Sequence, residues 1–329
     1  MKSFLKILFA PLLSILQGCN PLGNAFDEEV SENHYYNNSR TDVIYSPMGN
    51  WFELGKAEMG VDMKSFKVLN SVLSKDKDHV YYESYTIKDR DIDIPSFQAK
   101  ANGYMTNYGF DKNNVYFLET DYKDGEGYAI STIIQEADPE SFQKIDHDWG
   151  KDASNYFYRN KVIEVDYSTF RNLHNYFSKD DSTVYMHYNG SFMKISASAP
   201  TFTIVDTSDY AYDKNNLYHP SFEKDDANGI QLLTIEHDDI DKIKLYNKHY
   251  LLSGGNIYYR GLMIEGATRT SFEVISDRYA KDETTVFFEE KKVEGADVKT
   301  FKISDDGLIV YDKHGNYRDG KLFVVNATN

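Results

Sequence analysis

The sequence is almost without cysteine, since Cys19 is the single one in 329 residues. A disulfide framework within the chain is therefore excluded, and so is a zinc site built on several thiolates. Long hydrophobic runs are missing as well. The longest apolar stretch, residues 7–16, is too short for a membrane-spanning helix of about 20 residues.

That stretch lies at the amino terminus, behind Lys2 and Lys6. A basic start followed by a short apolar segment is typical of a secretion signal. We therefore expect residues 1–18 to be a signal peptide. The polar, irregular residues that follow Cys19 predict a flexible tether over 19–42, and residues 43–329 are expected to form the exported domain.

Leu16-Gln17-Gly18-Cys19 resembles the bacterial lipobox. The resemblance implies cleavage after Gly18 and acylation of Cys19, which predicts a lipid anchor in the cell envelope. Asn20 follows the cysteine, where the resemblance to diderm lipoproteins associates Asp with retention in the inner membrane. The outer membrane is the expected location if the host has two membranes.

Basic residues are scarce relative to acids, with 36 Lys and Arg against 52 Asp and Glu and a formal net charge of −16. Loss of residues 1–18 would remove two Lys and no acid, leaving −18. Nucleic acid is excluded as an expected partner because its binding requires a basic surface. The acidity indicates either a cationic partner or a solvated surface that maintains solubility.

Signatures of catalysis and metal binding are also missing. The sequence has no Gly-x-Ser-x-Gly elbow, phosphate loop or dinucleotide fingerprint. The segments 111–113 and 213–215 begin like calcium loops, but Val115 and Leu217 stand where a ligand is required. We predict no metal and no cofactor.

Acidic loops at 121–127 and 225–229 are expected to be hairpin turns. His147-Asp148 and the segment 237–239 are the tight His–acid clusters, and neighbours in a strand point to opposite faces. Such pairs are poor catalytic dyads. Catalysis by carboxylates brought together from different repeats stays open at this point.

What the sequence has instead is one phrase repeated along its length. Residues 111–117 read Asp-Lys-Asn-Asn-Val-Tyr-Phe, and variants recur every 28 to 41 residues. A second half, clearest in residues 291–303, follows most copies. A degenerate copy is expected to begin at Trp51-Phe52. Such a period is typical of stacked or radial repeat folds.

Tyr, Phe, Val and Ile fill each copy, with 27 Tyr and 20 Phe in total. These residue types favour strands, and the Asp, Asn, Gly and Lys around them favour turns. The sequence therefore predicts an all-β protein of about seven or eight units, each with three or four short strands. A β-propeller is favoured over an open β-solenoid because that number of units closes a ring.

One Asp precedes the strand in nearly every copy. An Asp at such a place caps a turn by accepting backbone N–H bonds, so we predict a structural role for these residues. They are Asp76, Asp111, Asp152, Asp180, Asp213, Asp282 and Asp312. One copy departs from the pattern and has Gly254-Gly255 in place of the acidic lead.

The repeated phrases, from about residue 44 to 325, resemble the DKNYY family of bacterial repeat proteins. The strongest copies are residues 111–117 and 213–218. The resemblance echoes the lipoprotein signal at Cys19, since members often look like exported lipoproteins, and it carries no catalytic residue and no activity.

Three functions follow as hypotheses. The first is a lipid-anchored, non-enzymatic binding or scaffold protein of the cell envelope, with a protein or glycan partner, because repeat folds present broad surfaces. The second is an envelope hydrolase acting on glycans. The third is an immunity-type lipoprotein that neutralises a toxin.

Overall fold

A computed structural model describes residues 20–88, 91–99, 107–173, 176–221, 231–236 and 242–323. Cys19 and residues 1–18 lie outside this range. Across the described residues the regular structure is β-strand apart from short 3-10 turns, one of them at Pro47–Gly49. The all-β prediction is confirmed. The described residues contain no helix with the length and apolar character needed to cross a membrane.

The chain divides into two compact units, Met1–Glu164 and Val165–Asn329. The first unit holds four described sheets. Sheet 1 has β1 (Leu22–Ala25), β2 (His34–Asn37), β3 (Val43–Tyr45) and β4 (Ala57–Glu58). Sheet 2 has β5 (Lys67–Val68), β6 (Leu73–Lys75), β7 (Val80–Tyr82) and β8 (Tyr85–Thr86). Sheet 3 has β9 (Tyr108–Phe110), β10 (Val115–Lys123) and β11 (Glu126–Ile133). Sheet 4 has β12 (Gln143–Lys144), β13 (Trp149–Lys151), β14 (Tyr156–Tyr158) and β15 (Lys161–Ile163).

The second unit holds five described sheets. Sheet 5 has β16 (Arg171–Asn172), β17 (Phe177–Lys179), β18 (Val184–Tyr188) and β19 (Ser191–Ile195). Sheet 6 has β20 (Thr203–Ile204), β21 (Ala211–Tyr212), β22 (Asn216–Ser221) and β23 (Gln231–Glu236). Sheet 7 has β24 (Lys244–Leu245), β25 (Tyr250–Ser253), β26 (Asn256–Tyr259) and β27 (Leu262–Met263). Sheet 8 has β28 (Glu273–Val274), β29 (Tyr279–Lys281), β30 (Val286–Phe288) and β31 (Lys291–Lys292). Sheet 9 has β32 (Lys302–Ile303), β33 (Val310–Asp312), β34 (Gly315–Arg318) and β35 (Lys321–Phe323).

Every sheet is an antiparallel meander in which strands pair in chain order. In sheet 3 a single bridge between Gln98 and Phe110 takes the place of a first strand. The repeated units of short strands are as predicted, with nine sheets in the described residues against the expected seven or eight units. The arrangement of the units as a ring or a stack stays a prediction.

In most sheets the third strand of the repeat is buried on both faces, β34 of sheet 9 being an exception, and β30 shows why. Alternation along the strand sends Phe287 into a core with Tyr250 of sheet 7. Val286 joins the next core, with Phe301 and with Tyr317 of sheet 9. Because each core is shared by consecutive sheets, one unit cannot bury its apolar residues alone.

The amino-terminal end differs from the predicted flexible tether. Residues 20–42 carry β1 and β2, so the segment forms half of sheet 1. The reason lies in two aromatic residues among the polar ones: the Phe26 ring lies 4.8 Å from that of Tyr36 and 5.0 Å from that of Phe66. Trp51-Phe52, the expected start of a degenerate copy, is a turn in which Phe52 is exposed.

Candidate functional site

The repeated aspartates close the turn between the second and third strands of their units. Asp111 is buried, and its Oδ1 accepts the N–H of Asn113 at 2.7 Å and of Asn114 at 2.8 Å. The carboxylate thus replaces a backbone carbonyl as the acceptor inside the turn. The same Oδ1 bonds to the second and third following N–H occur at Asp76, Asp152, Asp180, Asp213 and Asp282. At Asp312 the bond to the second N–H, from His314, is 2.7 Å long.

The other carboxylate oxygen holds an earlier turn. Oδ2 of Asp111 accepts the N–H of Asp93 at 2.8 Å and the hydroxyl of Tyr116 at 2.8 Å. Each repeated aspartate therefore joins its own turn to the turn that leads into its sheet. The residues whose N–H groups bind Oδ2 in the seven units are Asp62, Asp93, Asp138, Asp166, Ser198, Thr268 and Asp297.

A second set of residues, to which the sequence analysis gave no role, makes a hydrogen bond between the same two turns in the opposite direction. The Ser96 hydroxyl oxygen accepts the N–H of Lys112, next to Asp111, at 3.1 Å. A buried or nearly buried Phe follows each of these hydroxyl residues, so the available sequence signal was Ser or Thr before Phe in every copy. The set is Ser65, Ser96, Ser141, Thr169, Thr201, Ser271 and Thr300.

These contacts determine the electrostatics of the aspartates. Burial by itself would raise the pKa of Asp111, but hydrogen bonds from backbone N–H groups and Tyr116 outweigh it and lower the pKa. A carboxylate with four such donors has little capacity left for a ligand. In the described ranges no three His, Cys, Asp or Glu side chains are grouped to hold a metal ion.

Asp146, whose pKa is raised by burial, has the same kind of role. Its Oδ1 accepts the N–H groups of Asp148 and Trp149, both at 3.1 Å. Asn70 and Asn247 cap the equivalent turns of sheets 2 and 7. A raised pKa would otherwise suggest a proton donor, but its place in the repeat assigns Asp146 to turn capping.

The departing copy in sheet 7 solves the same turn differently. Ser253 stands five residues before Tyr258, where the other units have Asp. It is 1% exposed, and its hydroxyl finds no partner among the described residues. Gly254 and Gly255 have φ of 56° and 85°, as a type I′ hairpin turn requires. Backbone geometry thus replaces side-chain capping.

Charges that break the repeat collect at another place, the turn after the third strand. The first residue of this turn is charged in six of the described sheets, and we call these six the charged turn residues. They are Glu83, Asp124, Arg159, Arg260, Glu289 and Asp319. All have φ between 46° and 56°. Residues other than Gly adopt this left-handed backbone conformation infrequently, and those that do concentrate at functional sites.

In sheet 4, which belongs to the compact unit Met1–Glu164, Arg159 has two carboxylate partners. Its guanidinium pairs with Glu119 and lies 3.6 Å from Asp148. The hydroxyl of Tyr108 fixes the backbone here by donating to the carbonyls of Asp148 at 2.9 Å and Arg159 at 3.2 Å. Phe117 lies beneath the guanidinium, 5.2 Å away. Arg159 is therefore neutralised by residues of its own chain.

In sheets 8 and 9, which belong to the compact unit Val165–Asn329, Glu289 and Asp319 share one cation. Arg278 pairs with Glu289 at 3.0 Å and with Asp319 at 2.9 Å. Arg278 and Asp319 line a groove of about 560 Å³ that also includes the exposed Leu308 and Phe323. The charged turn residues of sheets 8 and 9 are therefore paired, like Arg159.

Arg260 has a different environment. Its Nε lies 3.3 Å from Nδ1 of His249 and one Nη lies 3.4 Å from Nε2 of the same ring. The lone pair of one imidazole nitrogen and the N–H of the other point in different directions within the ring plane, so one guanidinium near both nitrogens must lie over the ring face. Tyr259 is on another side, with its ring centre 5.6 Å away. Arg260 is exposed and has no ion pair with a described carboxylate.

His219 adjoins this arginine. It is 2% exposed, and its ring centre lies 4.5 Å from that of Tyr210. Neither ring nitrogen has a hydrogen-bond partner among the described residues. Burial lowers the pKa of His219 to about 4. The charge of Arg260 also lowers this pKa, whereas the nearby Pro220 carbonyl raises it. The ring is therefore neutral at pH 7.

The remaining candidate sites from the sequence separate from one another. Cys19 and the segments 225–229 and 237–239 lie outside the described residues. Residues 121–127 belong to the β10–β11 hairpin, where Oδ2 of Asp121 accepts the Tyr128 hydroxyl at 2.7 Å. Asp148 joins Arg159, whereas Nε2 of His147 lies 3.5 Å from the Asn107 amide.

The repeated caps agree with the comparison to known families. The DKNYY family model matches residues 39–189, 87–222 and 177–321. The chain belongs to the DKNYY family, which confirms the resemblance. No curated protein and no solved structure matches the chain significantly.

Proposed function

We propose that the chain is a lipid-anchored, non-enzymatic binding or scaffold protein of the bacterial cell envelope. One observation carries the proposal. The repeated carboxylates are used up by turn capping, while the charged turn residues differ in sign from sheet to sheet. A binding surface requires side chains that differ from unit to unit, and these turns have them.

The anchor is the part of the proposal that rests on sequence. Cys19 follows Leu16-Gln17-Gly18 at the end of the apolar stretch. Cells fed an alkyne-labelled fatty acid should label the wild-type chain and leave Cys19→Ser unlabelled, because the thiol is the acylation point. Outer-membrane fractions should hold the wild-type chain if the host is diderm. Label on the variant would refute the anchor.

Binding is tested by cross-linking the full-length protein in its own cells. We expect one envelope protein or glycan to be recovered with the wild type and reduced by Arg260→Gln. Arg40→Gln is the matched control, since Arg40 is also exposed, has φ 56° and lies 5.4 Å over the Tyr36 ring. Equal recovery with both variants would exclude the Arg260 turn from the binding surface.

A hydrolase acting on envelope glycans is a second candidate because Glu119 and Asp148 depart from the repeat and meet at Arg159. Hydrolysis would use one as acid and one as base or nucleophile. Both are engaged by Arg159, so they would first have to give up their ion pairs. Turnover of envelope glycans that is abolished by both Glu119→Gln and Asp148→Asn would establish this function in place of simple binding.

A further inference from the structure

The same tyrosine frame joins sheets 3 and 4, sheets 6 and 7, and sheets 8 and 9, where Tyr279 accepts the Gly320 N–H and the turn residue is Asp319. Tyr108 and Tyr210 each stand three residues before a repeated aspartate. Tyr108 donates to the Asp148 and Arg159 carbonyls. Tyr210 donates to the His249 carbonyl at 2.9 Å and accepts the Gly261 N–H at 2.9 Å. In these first two copies the frame places an arginine at the turn.

The two frames differ in what surrounds the arginine. In the first, Glu119 and Asp148 supply carboxylates to Arg159. In the second, the equivalent positions are Ser221 and His249, which carry no negative charge at pH 7. Burial lowers the pKa of His249, and the charge of Arg260 lowers it further. The second frame therefore keeps the cation without a carboxylate at either equivalent position, and the acids that act on His249, Asp209 and Asp277, stand elsewhere in the sequence.

We propose that Arg260, with His249 beneath it, is a binding site for the carboxylate group of an acidic glycan. The first frame shows which group an arginine in this setting binds, because Glu119 and Asp148 occupy there the place that a ligand carboxylate takes at Arg260. Stacking on His249 uses one face of the guanidinium and leaves its planar edge for a bidentate contact. The inference deepens the proposed binding function and rests on it.

The aromatic surroundings favour a glycan over an acidic peptide. The buried Tyr259 borders the guanidinium, and the half-buried Tyr176 is close enough for Arg260 to affect its ionisation. The ring of Tyr188 lies 6.0 Å from that of Tyr176 and is 37% exposed. Tyrosine combines a flat apolar face with a hydroxyl, which suits the face and rim of a sugar ring.

The site has a third component in His219. The Gly261 backbone packs closely on this residue, since an added Cβ would lie 2.9 Å from Cβ of His219. Arg260 and Gly261 have φ of 46° and 82°, so the turn is held in a type I′ shape against this residue. His219 thus supports the turn that positions the guanidinium, and we assign it a positioning role.

The test is calorimetric titration of the full-length protein in detergent with a trisaccharide of galacturonic acid. Its methyl ester is the neutral control, and a tripeptide of glutamate is the competing ligand class. We expect the acid to bind and the ester to bind at least about tenfold more weakly, since a charge-assisted hydrogen bond contributes about 1.5–3 kcal/mol. Arg260→Gln should cause a similar loss, and Arg40→Gln none.

A second experiment tests whether a new binding site can be created at Arg159. The double variant Glu119→Gln, Asp148→Asn removes the internal anions from Arg159 and should raise the stoichiometry from one ligand to two. No binding of the acid, preference for the glutamate peptide, or unchanged affinity in Arg260→Gln would each overturn the glycan-carboxylate site. Cellular capture separates the two levels: a partner retained by Arg260→Gln refutes this site and leaves the binding function standing, whereas no partner for the wild type refutes the function.

Discussion

The phenol of Tyr116 donates a hydrogen bond of 2.8 Å to Oδ2 of Asp111, five residues earlier in the chain. Both groups are buried, so the contact is shielded from water. The same pair recurs as Tyr81 with Asp76, Tyr185 with Asp180, Tyr218 with Asp213 and Tyr317 with Asp312. It joins the third strand of a unit to the turn that precedes it.

Tyr116→Phe should therefore lower the free energy of unfolding by about 2 kcal/mol, because a hydrogen bond to a charged group is lost. Phe157 and Phe287 occupy the equivalent position in sheets 4 and 8, so the smaller side chain fits. Urea denaturation measures the change. Tyr258→Phe is the control, since Ser253 replaces the aspartate there, and it should cost little; equal losses at both positions would contradict the assignment.

The hydroxyl of Ser96 provides a second test of the capping network. Ser96→Ala should cost about 1 kcal/mol because the N–H of Lys112 loses its acceptor. Ser96→Thr should be nearly neutral, since Thr169, Thr201 and Thr300 make the same bond in other units. Thermal or urea unfolding compares the two variants. A Thr variant as unstable as the Ala variant would show that packing, and not the hydroxyl, is responsible.

The glycine turn of sheet 7 should respond in the opposite way to the aspartate turns. Ser253→Ala removes a buried hydroxyl without a described partner and is expected to leave stability unchanged or slightly raised. Gly254→Ala should cost about 1 kcal/mol, because φ is 56° although the space around it is open.

Asp213→Ala is the comparison for that turn and should cost about 3 kcal/mol, since several buried donors lose their acceptor. Chemical denaturation ranks the three variants. A loss at Ser253 comparable to that at Asp213 would mean that the serine has taken over the cap.

The buried imidazole of His219 predicts a pH dependence of folding. Burial lowers its pKa to about 4, against about 6.5 in an unfolded chain. Between these values the unfolded chain binds more protons, so stability is fully present above pH 6.5 and falls as the pH drops toward 4. The contribution is about 3 kcal/mol. The neighbouring Arg260 and His249 both oppose protonation of the ring.

His219→Phe should flatten this part of the profile, measured as the urea midpoint from neutral pH down to pH 4. The exposed His314 offers the control, and His314→Gln should keep the slope of the wild type. A His219→Phe profile that runs parallel to the wild type would show that the ring is protonated in the folded chain.

Much of the fold could be read from residue patterns. The phrase at 111–117 predicted a strand after an acidic turn, and β10 begins at Val115. Recurrence of that phrase predicted repeated units of three or four strands, which the nine sheets confirm. Local alternation and turn residues suffice for this because both act over a few neighbouring positions.

Other features escaped the patterns for definite reasons. Sheet 1 lacks the repeated phrase, and its order comes from Phe26, which packs against Phe66 forty residues further along the chain. The role of Ser96 was hidden because its partner, Lys112, lies sixteen residues away. Single residue types at such distances give no periodic signal.

The sequence by itself determined the unit: a short strand, an aspartate or glycine turn, and an aromatic residue for the shared core. Only the tertiary structure decided which charges meet. Arg159 and Arg260 look alike in the sequence, yet one pairs with Glu119 from the preceding sheet and the other stacks on His249. Turn formation depends on neighbours in the chain, whereas neutralisation of a charge depends on neighbours in space, brought together when one sheet packs on the next.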